Sequence, residues 1–94
     1  MNNNYQVRNP YDNTLLGEYA YADWREVEQT LSRLEQGEKI QRGIPAHQRA
    51  DILRRLAQLL DQHSEDLAAL ITAETGKTIS DARVELVRAI NTTV

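Results

Sequence analysis

The 94-residue chain contains no cysteine and no phenylalanine, and it has a single tryptophan. Without a thiol it can form no disulfide, no thiolate nucleophile and no zinc site built on cysteine. A reducing, cytoplasmic setting is therefore expected. With so few aromatic residues, the core of such a short domain should be thin and filled mainly by Leu, Ile and Val. No apolar run approaches about 18 residues, so we expect no membrane-spanning helix.

The formal charge of −3 arises from acidic and basic residues that are interleaved along the chain. This balance favours solubility and gives little support to binding of a phosphate backbone. The basic residues between positions 39 and 55 are opposed by Asp51 and are not interleaved with aromatic residues. We therefore expect no nucleic-acid partner; a small nucleic-acid-binding module would need a salt-sensitive affinity that this charge balance does not predict.

Two short segments of β-forming residues predict an antiparallel hairpin over residues 5–22. The first, residues 5–8, ends at Asn9-Pro10, because proline fixes φ and lacks a backbone donor. Residues 11–14 have turn chemistry, and residues 15–21 form the second segment. A two-stranded hairpin is marginal in water, so it should pack on another element.

Residues 23–94 predict about four helices, which makes the isolated chain α+β and mostly helical. Asp23 begins the first helix with capping-box spacing to Glu26, and Gly37 is expected to end it. Pro45 opens the second helix. Apolar residues at helical spacing give each of these two helices one apolar face. The first face consists of Trp24, Val27, Leu31 and Leu34, and the second of Ile52, Leu53, Leu56, Leu59 and Leu60.

The boundary between the second and third helices has two interpretations. His63-Ser64 can mark a break, with Ser64 capping the third helix, or one helix can continue from 46 to 74; we favour the break. Gly76 should end the third helix, and Thr78 has capping-box spacing to Asp81 at the start of the fourth. That helix meets no stop signal before Val94, so we expect the polypeptide to continue.

The possible chemical sites have simpler structural interpretations. Gly76-Lys77-Thr78 matches the end of a phosphate-binding loop, but position 71 is Ile71 rather than glycine and no strand precedes it. His47 and His63 lie far apart in sequence without a ligand cluster. The carboxylates fit helix caps and solvated faces, except that Glu85 adjoins the last apolar stripe and should have a partner. We therefore assign no catalytic, cofactor-binding or metal-binding residue.

A series of short motifs runs along residues 7–90 without an evident gap. In order, these are Asn9-Pro10, Gly17-Glu18, the helix start at Asp23, Pro45 leading into Arg49, Ile52-Leu53, Leu56-Ala57 and Leu59-Leu60, then Leu67, Glu74-Thr75-Gly76-Lys77, Ala82-Arg83 and Glu85. Each motif is weak alone, whereas their order and spacing are specific. In this arrangement the chain resembles the N-terminal segment of the aldehyde dehydrogenase superfamily.

The resemblance implies that residues 1–94 are part of an α/β enzyme and hold no complete catalytic or cofactor-binding domain. The parent would use NAD or NADP to oxidise an aldehyde to a carboxylic acid through a cysteine thioester, and would be a homo-oligomer. The segment itself would bind no cofactor and would be inactive alone. Its partner would be the remainder of the parent, and its apolar faces should be incompletely buried.

Two further expectations concern a cation and an alternative function. In some family members a structural cation lies near the positions of the Arg8 carbonyl and Glu85, although a buried ion pair or hydrogen bond is the simpler role for Glu85. The alternative to an enzyme segment is a self-contained helical interaction module. Such a module would self-associate through its apolar stripes, and an oligomer that depends on concentration would distinguish it.

Overall fold

The computed structural model describes residues 4–94, which form a two-stranded hairpin followed by four helices. This confirms the predicted hairpin-plus-helices architecture. In chain order the elements are β1 (Asn4–Arg8), β2 (Leu15–Ala20), α1 (Trp24–Arg42), α2 (Ala46–Gln62), α3 (Ser64–Thr75) and α4 (Ile79–Thr93).

The hairpin is antiparallel, and its register pairs Asn4 with Ala20 and Tyr5 with Tyr19. An irregularity follows Val7, and the pairing resumes between Arg8 and Leu15. The turn is held by its own polar side chains, as its sequence predicts. Asp12 Oδ1 accepts hydrogen bonds from the Thr14 backbone N–H (3.1 Å) and from Thr14 Oγ1 (2.8 Å), and these bonds lower the pKa of Asp12.

Helix α1 begins where the sequence predicts and ends later. Asp23 Oδ1 accepts from the Glu26 backbone N–H at 2.8 Å, so Asp23 is the N-cap. The predicted end at Gly37 is wrong, because the helix continues through it to Arg42 and is capped at Gly43. The last turn is supported by Arg42 Nη2, which donates to Glu38 Oε2 at 2.9 Å, four residues earlier. This local support outweighs the unfavourable helix propensity of a single glycine.

The helical position of Gly37 gives a testable prediction. Gly37→Ala should stabilise α1 by about 0.5–1 kcal/mol, because alanine loses less backbone entropy in a helix. The new Cβ meets no atom within 4 Å, so no steric cost offsets this gain. Thermal loss of the helical circular dichroism signal would measure the effect. A lower melting temperature than wild type would contradict the helical assignment of Gly37.

The break between α2 and α3 is confirmed, but Ser64 does not cap the third helix. Ser64 is its first residue, and His63 occupies the junction with φ −103° and ψ 13°. The backbone hydrogen bonds nevertheless pass through the junction: His63 N–H donates to Leu59 O and Leu67 N–H donates to His63 O. The junction is therefore a local deviation between two helices, and no side chain caps it.

The turn between α3 and α4 has the predicted caps at both ends. Gly76 adopts a left-handed conformation with φ 78°, and its N–H donates to Thr72 O. Thr78 Oγ1 accepts from the Asp81 backbone N–H at 3.2 Å and so caps α4. A Cβ atom on Gly76 would lie 3.1 Å from Pro10 Cγ, so the hairpin end lies directly against this turn. The hairpin thus packs on α3 through β1 and on this turn through Pro10.

The core of the described residues is formed mainly by alanine. Ala57, Ala68, Ala82 and Leu86 are the buried apolar residues between positions 4 and 94. Helix α4 packs against both α2 and α3, and Leu67, Ile71 and Ile79 partly cover the buried cluster. Small side chains let the helices approach closely, and most of the larger apolar residues are exposed or half-buried.

Candidate functional site: an uncovered apolar surface

The described chain is spread out rather than compact. Its radius of gyration is 17.6 Å, and its principal extents are 48 × 39 × 15 Å. A compact domain of this length would have a radius of gyration of about 12 Å. The shortest extent is less than half of either of the other two, so the described chain is flat. A flat, open arrangement of this kind leaves apolar surface that no second layer of secondary structure covers.

The most exposed apolar surface is the α1 face, defined by Trp24, Val27, Leu31 and Leu34. The accessible fractions are 80% for Trp24, 56% for Leu31 and 62% for Leu34. None of the extended contacts between described elements involves α1. Helix formation in proteins depends largely on tertiary packing of an apolar face. Val27 is half-buried, but the other three residues of the α1 face are exposed, so the described residues cover little of this amphipathic surface. This agrees with the incomplete burial expected from the sequence.

The second apolar surface lies on α2 and is only partly covered. Ile52, Leu53 and Leu56 are exposed, whereas Leu59 and Leu60 at the end of the stripe are half-buried. Helix α4 packs on α2, and the buried α2 residue is Ala57. The predicted stripe is therefore present, but much of it does not contribute to the packing between these helices. Contiguous exposed apolar surface of this kind usually marks contact with another protein surface.

Two ion pairs connect α3, the following turn and α4. Arg83 on α4 donates from Nε and Nη2 to the two carboxylate oxygens of Glu65 on α3, at 3.0 and 3.2 Å. This two-point contact raises the pKa of Arg83. Lys77 Nζ pairs with Glu85 Oε1 across the start of α4. All four side chains are solvent-accessible, so each pair contributes only modestly to stability.

The candidate nucleotide-binding residues do not form a phosphate-binding loop. Gly76 ends a helix, and the Lys77 ammonium is paired with Glu85, so Gly76-Lys77-Thr78 lacks a backbone cradle for phosphates. The Glu85 carboxylate has the partner expected from the sequence, but the pair is half-exposed rather than buried. Arg8 uses its guanidinium locally, donating to Gln6 Oε1 and to the Asn13 carbonyl. These residues therefore form no nucleotide-binding site, and a cation near the Arg8 carbonyl and Glu85 stays a prediction.

The other titratable side chains of residues 4–94 are dispersed along the chain. Residues 4–94 contain no group of three or more His, Asp and Glu side chains placed to hold a metal ion. Several of the carboxylates considered from the sequence lie in first helical turns, where an anion is favourable: Glu65 and Asp66 in α3 and Asp81 in α4. None of the described helices is long and apolar enough to cross a membrane.

Comparison with known proteins identifies the protein family of this chain. The model of the aldehyde dehydrogenase family matches residues 1–94. The chain belongs to the aldehyde dehydrogenase family. It is 51% identical over 94 residues to a sulfoacetaldehyde dehydrogenase from Neptuniibacter caesariensis, covering 100% of this chain and 21% of the relative.

Solved structures show that the fold is shared as well. An NAD-dependent benzaldehyde dehydrogenase from Corynebacterium glutamicum matches with a TM-score of 0.92 and 29% identity, covering 96% of this chain and 20% of that one. A glyceraldehyde-3-phosphate dehydrogenase from Methanocaldococcus jannaschii, in complex with NADP, matches with a TM-score of 0.89 and 27% identity, covering 94% of this chain and 19% of that one. The chain spans about a fifth of these proteins and corresponds to their N-terminal region.

Proposed function

We propose that residues 1–94 are the N-terminal segment of an NAD(P)-dependent aldehyde dehydrogenase that oxidises an aldehyde to a carboxylic acid. The supporting observation is the 51% identity to a sulfoacetaldehyde dehydrogenase across all 94 residues. The structural neighbours include one described as NAD-dependent and one complexed with NADP, which supports a nicotinamide cofactor without choosing between the two. The proposed substrate is sulfoacetaldehyde, a small aldehyde that carries a sulfonate group.

The segment's part in this enzyme is structural. The catalytic cysteine must come from other parts of the polypeptide, since this chain contains no cysteine. We propose that residues 1–94 contribute no catalytic, cofactor-binding or metal-binding side chain. Their partner is the remainder of the enzyme, which covers the α1 face and the exposed part of the α2 stripe. The whole enzyme is a cytoplasmic homo-oligomer. No specific observation favours a self-contained interaction module.

Assay of the longer protein that contains this segment tests the proposed reaction. Reduction of NAD and of NADP should be followed with sulfoacetaldehyde, with the corresponding unsubstituted aldehyde as the matched control. We expect a higher kcat/KM with sulfoacetaldehyde and no turnover by residues 1–94 alone. Preference for the unsubstituted aldehyde would overturn the substrate assignment, and absence of turnover with both cofactors would overturn the proposed activity.

Hydrogen exchange tests the proposed structural part independently of activity. In residues 1–94 alone, the α1 amides should exchange quickly, because α1 has no extended contact with the other described elements. In the longer protein the same amides should be protected, since their apolar face is then covered. The amides at the packed contact between α3 and α4 are the internal control and should be the slower-exchanging ones in both forms. Equal exchange of α1 in both would contradict burial by the remaining polypeptide.

A further inference from the structure

We draw no further inference here: the strongest candidate outside the apolar surface already described, the exposed tyrosine cluster of Tyr5, Tyr19 and Tyr21 on the hairpin, carries nothing because nothing in the described residues shows what covers it.

Discussion

Replacing Leu86 by alanine should lower the free energy of unfolding of the 94-residue chain by about 2–5 kcal/mol. Leu86 is the largest of the four buried apolar residues in the described chain and joins Ala68 and Ala82 in one cluster. The other two buried residues of that cluster are alanines, whose short side chains cannot fill the space that the substitution leaves. A loss of this size is a large fraction of the stability of a small domain.

The adjacent residue provides a matched control for Leu86→Ala. Val87 lies on the same helix and is 56% exposed, so Val87→Ala should change the unfolding free energy of this chain by less than about 0.5 kcal/mol. Urea unfolding followed by circular dichroism would compare the two variants with wild type. Equal losses for both would contradict the assignment of Leu86, rather than Val87, to the buried core. If neither substitution lowered the unfolding free energy, the packing between α3 and α4 would not be what holds the chain together.

Gly76→Ala should destabilise the chain by at least about 1–2 kcal/mol. The glycine has φ 78°, and a left-handed conformation costs a residue with a Cβ atom roughly this amount. A second cost is steric, because the new Cβ would lie 3.1 Å from Pro10 Cγ. The turn between α3 and α4 and the attachment of the hairpin should therefore weaken together. The change in the midpoint of urea unfolding would measure the combined effect.

A double-mutant cycle separates these two costs. Pro10→Ala removes the Cγ atom that Gly76→Ala would approach, so the double variant should recover the steric part and retain the backbone strain. Gly37→Ala is the control for glycine replacement itself, because Gly37 lies within a helix and its substitution should be stabilising. A Gly76→Ala variant as stable as wild type would overturn the requirement for glycine at this turn. Strict additivity in the cycle would show that Pro10 and Gly76 are not coupled.

The starts of α1 and α4 were predictable because the interactions that fix them are local. The side chains of Asp23 and Thr78 each accept a hydrogen bond from a backbone N–H three residues later, which the capping-box spacing indicates directly. Gly76 ends α3 because its left-handed conformation is cheap only for glycine. The same rule failed at Gly37. Glycine ends a helix only where the backbone leaves the helical conformation. Beyond Gly37 the ion pair between Glu38 and Arg42 supports continued helix instead.

The core was harder to predict because alanine carries little signal in an apolar pattern. The periodicity emphasised Leu and Ile, whereas the residues that bury completely in the described chain are Ala68 and Ala82. The available signal was the placement of these alanines beside larger apolar residues on α3 and α4. Their burial depends on how closely two helices approach, which is a property of the packed pair and not of either helix alone.

The sequence by itself determined the order of the elements, most of their boundaries and the family, because caps, turns and motif spacing are encoded within a few residues of each other. The tertiary structure decided which apolar residues are buried and which are left uncovered. Leu86 is enclosed, whereas Leu31 and Leu34 on the α1 face have equally apolar side chains and remain exposed. The physical reason is that burial requires a second surface, and the position of that surface depends on contacts between residues far apart in the chain.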